Sequence, residues 1–368
     1  MKLLHPGAGA VLAASLAFGA ALPAFAETSY PHVTGEVTVE VESDVVYKSD
    51  AAGGEVSDTY LVVDAYFQTY FTENWSLVTY FYFEPTTGLN AGEDRFFTDE
   101  GGYVEELYIS YEDDWGRAWA GKFDVNFGTA HTNAPGIYGT NFAEDYQILE
   151  QLGGGVQFSL SPQPSIMGEV SLSVAAFFAD RTILSESWPE NRGRLRKSAG
   201  GAGNTSGPQS FAIALDGAEL PTVPGFTYHL GVMYRAGGQG DPKDEMSLVL
   251  GGSQEYTLGE STSLFVIGEL ARVANQFGTD DDASYATLGA QLDFLDGFNV
   301  NATGAYRHVK FGGGGDTDDL LFTAGAGYTM PVGPGDLSFD VAWRYGDEFG
   351  VQSETVGALL SYTIAFGD

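Results

Sequence analysis

The chain has 368 residues, with 50 Asp and Glu against 16 Lys and Arg and a formal net charge of −34. That acidity excludes nucleic acid as a partner, since a phosphate backbone needs a basic surface, and the absence of cysteine excludes disulfide and thiolate chemistry. Fifty glycines and 14% aromatic residues fit neither a disordered chain nor a soluble α/β enzyme, and suit an all-β membrane barrel.

In chain order, the first element is an export signal. Lys2, an apolar stretch from about Ala8 to Leu22, and the small-x-small site Ala24-Phe25-Ala26 predict a signal peptide over residues 1–26, cleaved before Glu27. The apolar run is too short for a membrane anchor. No cysteine follows it, which excludes a lipid-anchored lipoprotein. Residues 27–368 hold no apolar run of roughly 20 residues, so no transmembrane helix is expected there.

From residue 33 onward apolar and polar residues alternate with period two. Val37, Val39, Val41 and Val45 fall on one face, and Glu36, Thr38, Glu40, Glu42 and Asp44 on the other. In a membrane barrel the apolar face meets lipid and the polar face lines the lumen. The same reading puts Val63, Ala65, Phe67 and Phe71 outward and Asp64, Tyr66, Gln68 and Tyr70 inward. Over 117–127 it puts Trp119, Phe123, Val125 and Phe127 outward and Ala118, Ala120, Lys122, Asp124 and Asn126 inward. His229 and Arg235 point inward over 226–235, and Asp340 and Arg344 over 337–345. Residues 263–273 are apolar on both faces until Glu269, which leaves their facing open.

This patterning predicts about sixteen strands: 34–47, 57–72, 75–85, 101–113, 116–127, 153–161, 168–179, 209–218, 225–236, 244–258, 261–275, 284–295, 297–311, 319–330, 336–346 and 353–366. Short turns are expected near Glu73-Asn74, Asp113-Asp114, Ser161–Pro164, Leu258–Glu260 and Asp296-Gly297. Longer connections run near 86–100, 128–152, 180–208, 276–283 and 312–318. Alternation of short periplasmic turns with long external loops is the pattern of a closed antiparallel transmembrane β-barrel.

The chain resembles a Gram-negative outer-membrane porin of the sixteen-stranded type. Val104-Glu105-Glu106-Leu107-Tyr108-Ile109-Ser110-Tyr111, then Ala120-Gly121-Lys122-Phe123 and Phe127-Gly128, carry the likeness locally. Phosphate-selective porins share this pattern, but they are basic channels and this chain is acidic. Porin-like barrels usually end on an aromatic residue; here Gly367 and Asp368 follow Phe366. The resemblance implies that the third external loop, 128–152, folds into the barrel and narrows it, with Glu144, Asp145 and Glu150 at the constriction. It also implies a homotrimer, and a basic strip facing those acids.

The expected lumen is acidic. Glu106, Asp124 and Asp340 are among its acids, and Lys122, Arg235, Arg307 and Arg344 are its bases. Carboxylates in excess enrich cations and repel anions, so a cation preference follows. Inward Gly289, Gly325, Gly327 and Ala342 are expected to leave space. The cluster Arg192, Arg194, Arg196 and Lys197 reads as an external loop that either contacts lipopolysaccharide or is simply solvated. The runs Asp280–Asp282 and Asp316–Asp319 lack the spacing of a calcium hand. No catalytic residue, metal site or cofactor is expected; His131 is the best candidate base for an enzyme. The function expected is passive diffusion of small hydrophilic solutes and ions through the outer membrane, with lipid, lipopolysaccharide and the solutes as partners. A substrate-specific channel for a sugar, metal chelate or other nutrient, an outer-membrane enzyme and a plugged structural or adhesive barrel are the alternatives.

Overall fold

The structure, a computed structural model, describes residues 29–160 and 166–367. The expected signal peptide (1–26) and the turn expected at Ser161–Pro164 lie outside the described residues.

Eighteen strands follow one another: β1 (His32–Ser49), β2 (Ser57–Tyr70), β3 (Trp75–Pro85), β4 (Arg95–Phe96), β5 (Glu100–Asp113), β6 (Gly116–Phe123), β7 (Gln151–Ser159), β8 (Glu169–Ala179), β9 (Trp188–Pro189), β10 (Ser210–Ala218), β11 (Phe226–Arg235), β12 (Glu245–Gly259), β13 (Thr262–Ala274), β14 (Asp282–Phe294), β15 (Phe298–Lys310), β16 (Asp316–Val332), β17 (Gly335–Glu348) and β18 (Val351–Phe366). Sixteen of them, all but β4 and β9, form the wall. Each wall strand pairs antiparallel with its neighbours in sequence, and β18 closes on β1 from Gly35 opposite Phe366 to Ser49 opposite Ser353. Closure leaves no open edge among these sixteen strands. These sixteen are the sixteen expected from the sequence, with ends displaced by a few residues.

The period-two pattern explains why the barrel is lined as it is. Along β12, Glu245, Ser247 and Val249 are buried while Met246, Leu248 and Leu250 are about half exposed. The exposed set recurs around the wall in Leu230, Val232, Leu270, Leu288, Phe322, Phe339 and Val356. Exposed to water, such a belt would carry a penalty near 25 cal/mol per Å²; facing lipid, it is the favourable contact. Aromatic pairs mark the short-turn end: Trp75–Tyr111, Trp115–Phe158 and Phe298–Tyr328 have ring centroids 5.0, 5.7 and 4.5 Å apart.

Two departures from expectation have local causes. First, a bulge sets Tyr80 opposite Glu106 and Phe81 opposite Val104, so that Glu105 is an extra residue and is buried as well. Second, β6 leaves the wall at Phe123, where the sequence predicts a strand to 127. Val125 and Phe127 are therefore buried under the following loop and do not face lipid. Trp119 pairs with buried Ser110 and lines an internal cavity with Phe123, so both face in, while Ala120 pairs with exposed Ile109. The gap beside upper β5 is filled by β9, which pairs with Gly101 and Gly102. The loops also shorten around the barrel, to 311–315 and then 349–350.

Candidate functional site: the lumen and its inward loop

The segment 124–150 between β6 and β7 runs inside the barrel. Its two limbs join where Val125 N–H donates to Ile148 C=O at 2.9 Å. At its base Asp124 accepts the Glu150 N–H (2.7 Å), and the Asp124 N–H donates to Glu106 Oε1 (3.0 Å). Burial, reinforced by the charge of Glu106, raises the Asp124 carboxyl well above the ordinary range.

From there the loop is tied strand by strand to the inner wall. Asn126 donates to Asp216 of β10 at 2.8 Å. The Gly128 N–H donates to Nε2 of His229 on β11 at 3.0 Å, and His229 Nδ1 is 2.6 Å from Asp216 Oδ1. These partners assign the neutral, Nδ1-protonated tautomer. Glu269 of β13 is the principal anchor. It accepts from Thr129 N–H (2.7 Å), Thr129 Oγ1 (2.9 Å), Ala130 N–H (3.1 Å) and Tyr146 Oη (2.6 Å). A one-turn helix, α1 (Ala130–Asn133), follows. Thr303 of β15 donates to Pro135 C=O at 2.8 Å, and Tyr138 donates to Asp44 of β1. The loop thus crosses from β6 past β10–β15 to β1.

The small inward residues serve that crossing. A Cβ on Gly289 would lie 2.5 Å from Pro135 Cδ, and one on Gly357 would lie 1.9 Å from the Tyr138 hydroxyl. Gly289 was expected to leave empty space; its space holds the loop. Gly325 and Gly327 are approached by neighbouring wall side chains, Asn301 and Asp340.

The expected loop acids are not free. Asp145 meets Arg307 at 2.7 Å, and burial lifts its carboxyl against that pairing. Glu144 accepts from Thr140 Oγ1 at 2.5 Å, and burial raises it to about 8. Glu150 accepts from Lys122 (2.7 Å) and from Arg192 (2.5 Å). The four bases expected in the lumen are likewise paired and do not form one strip. Lys122 also donates to Val104 and Leu184 carbonyls at 2.6 and 3.1 Å, capping the wall where β6 ends. Arg235 is bidentate to Glu245 at 2.6 and 2.5 Å. Arg307 joins Asp145, Asp319 (2.7 Å) and Glu348 (3.5 Å), held between the Phe142 and Phe349 rings. Only Arg307 and Arg344 come together, through Glu348, which Arg344 meets at 2.6 Å. Asp340 is contacted by Asn299 at 3.4 Å.

Glu105, Glu245, Glu269 and Asp319 are buried acids that the alternation does not assign to the lumen. Glu269 lies on a strand apolar on both faces, which hides its facing. Arg192, expected in an external loop cluster, instead tucks in over the Tyr103 ring at 3.6 Å. His131 is half-buried, and desolvation of its ring lowers it to about 4. Its Nδ1 has no hydrogen-bond partner among the described residues. The Asp216–His229 pair is spent on a backbone amide, the Gly128 N–H, which occupies Nε2.

A closed sixteen-stranded barrel, apolar outside and charged inside, with a long loop laid along its inner wall, is the porin fold. No protein-family model matches the chain, and no curated protein matches it in sequence. Solved structures do match it in fold. The outer membrane channel DcaP of Acinetobacter baumannii aligns at TM-score 0.57 and 13% identity, over 90% of this chain and 96% of that one. Salmonella typhi OmpF, solved with daunomycin, aligns at 0.60 and 12%, over 91% and 98%. An anion-selective porin from Comamonas acidovorans aligns at 0.50 and 12%, over 91% and 98%.

Proposed function

We propose that this protein is an outer-membrane porin, a water-filled channel for passive diffusion of small hydrophilic solutes, with a preference for cations. The observation that carries the reading is the pairing of a continuous apolar outer belt with a carboxylate-rich interior in one closed barrel. The belt needs hydrocarbon around it, and the interior needs water or ions. The fold alone does not set the sign of selectivity, since one protein of similar fold is described as anion-selective. Charge decides it here. Lys122, Arg235, Arg307 and Arg344 are each matched by one or more carboxylates, whereas Arg117 on the internal cavity has no ion pair; Glu36, Glu40, Glu42, Asp64, Glu105 and Asp340 likewise stand without one among the described residues. Those of these carboxylates that are ionised raise cation concentration in a low-dielectric throat, where screening is weak. The inward loop, which carries Glu144, is read as the constriction. The same reading extends to an outer-membrane location, to lipid and lipopolysaccharide around the belt, and to a homotrimer.

The test is the reversal potential of the purified barrel in a planar bilayer under a KCl gradient. A stable conductance with a cation-signed potential is expected. An anion-signed potential overturns the selectivity, and a folded protein that never conducts overturns the channel.

A further inference from the structure

We propose that the wall of β1, β2, β3 and β5 binds organic cations bearing a planar guanidinium group, the phenol rings taking its flat face and the carboxylates its N–H edge. The proposal rests on the channel reading for solute access and goes beyond it in naming the solute. Register places two inward rows across these strands: Glu36–Tyr66–Tyr80–Glu106, and Thr38–Asp64–Tyr82–Tyr103. The rings form a continuous ladder. Tyr66–Tyr80, Tyr80–Tyr82 and Tyr82–Tyr103 have centroids 6.2, 5.8 and 6.0 Å apart. Tyr80 donates to Asp64 at 2.7 Å and Tyr103 to Glu84 at 2.6 Å, which fixes the rings and uses up their hydroxyl hydrogens. The inward loop reaches this wall where Tyr138 meets Asp44 and Asp124 meets Glu106, its other ties lie on β10–β15, and Tyr66, Tyr80 and Tyr82 remain partly exposed.

Two further observations give the ligand its chemistry. The chain's own guanidinium groups already occupy the rim of this wall in the proposed mode. Arg192 lies 3.6 Å over the Tyr103 ring and 2.5 Å from Glu150; Arg95 lies 5.7 Å over Tyr60 and 2.5 Å from Asp58. Below them, Glu40 Oε2, Glu42 Oε2 and the Tyr60 hydroxyl are buried without a hydrogen-bond partner among the described residues, at 3%, 1% and 4% exposure. An ionised carboxylate only accepts. With the Tyr80 and Tyr103 hydrogens committed to Asp64 and Glu84, the open acceptor sites of this wall favour a ligand rich in donors. A neutral sugar offers as many acceptors as donors, an anion is repelled, and a bare metal ion has no use for ring faces. A guanidinium offers five N–H donors and a flat cationic face.

Agmatine is the probe, titrated calorimetrically into the detergent-purified barrel and added to one side of the bilayer recording. Agmatine is expected to bind and to interrupt the current, putrescine to bind about fivefold more weakly for want of the planar group, and glucose not to bind. Asp64→Asn and Tyr80→Leu should each weaken agmatine about fivefold, while Tyr80→Phe, which keeps the ring, weakens it less. Arg192→Gln frees the Tyr103 rung and should tighten binding. Variants are compared at equal β-sheet circular dichroism, and Asp64→Asn preserves shape where Tyr80→Leu does not. Equal affinities for agmatine and putrescine, or indifference to Asp64→Asn, overturn the proposal. Binding without conductance keeps this site and removes the channel reading; conductance without agmatine binding does the reverse.

Discussion

Replacing Glu269 with alanine removes four hydrogen bonds from the base of the inward loop, three of them from Thr129 and Ala130 and one from Tyr146. Bonds to a charged acceptor are each worth about 1.5–3 kcal/mol net. The four share one carboxylate, and the released amides can rehydrate from the lumen, so a total of about 3–5 kcal/mol is expected. At about 1.4 kcal/mol per decade, that shifts the docked-to-released equilibrium by about two to three and a half orders of magnitude. The other ties, His229 to Gly128, Thr303 to Pro135 and Arg307 to Asp145, stay in place. The loop should therefore fluctuate at its base without leaving the barrel. Single-channel recording reads this as higher mean conductance with added open-channel flicker. Glu269→Gln keeps one carbonyl oxygen and should change both less. A folded Glu269→Ala channel with wild-type conductance and wild-type noise would refute the assignment of the loop as the constriction.

Burial raises Glu144 to about 8, with Thr140 pulling it down, Asp145 and Glu84 pushing it up and Arg344 opposing them. It is mostly protonated at pH 7, so the cation preference read from reversal potentials should grow between pH 7 and 9, and Glu144→Gln should flatten that rise. The docked loop holds this proton more tightly than a released one, so docking weakens as pH climbs from 4.5 towards 8; a wild-type reversal potential flat from pH 6 to 9 contradicts the assignment. Arg307→Met strips Asp145, Asp319 and Glu348 of their shared partner and should cost about 3–5 kcal/mol. Arg344→Met loses the half-buried pair with Glu348 and should cost about 1 kcal/mol. Thermal unfolding in detergent separates the two, and equal losses would show that Arg307 is not the deeper link.

The barrel was legible in the sequence because a strand's two faces meet different solvents. Alternation such as Val37, Val39 and Val41 against Glu36, Glu40 and Glu42 states which side is wet, and it does so locally, without reference to any partner. Strand number, the change from turns to loops and the acidity of the interior all follow from that local rule. The pairing of the lumen charges does not. Arg307 meets Asp145 across 162 positions and Glu269 meets Thr129 across 140, and no period in the sequence links them. Parity also fails where the wall is interrupted. The bulge at Glu105 and the departure of β6 at Phe123 each exchange inward for outward, and neither leaves a mark in an apolar–polar pattern. Sequence by itself therefore determined a closed acidic barrel with a long third loop. Which carboxylates remain unpaired to face a solute was decided only when closure of β1 on β18 and the path of 124–150 brought distant charges within hydrogen-bond reach.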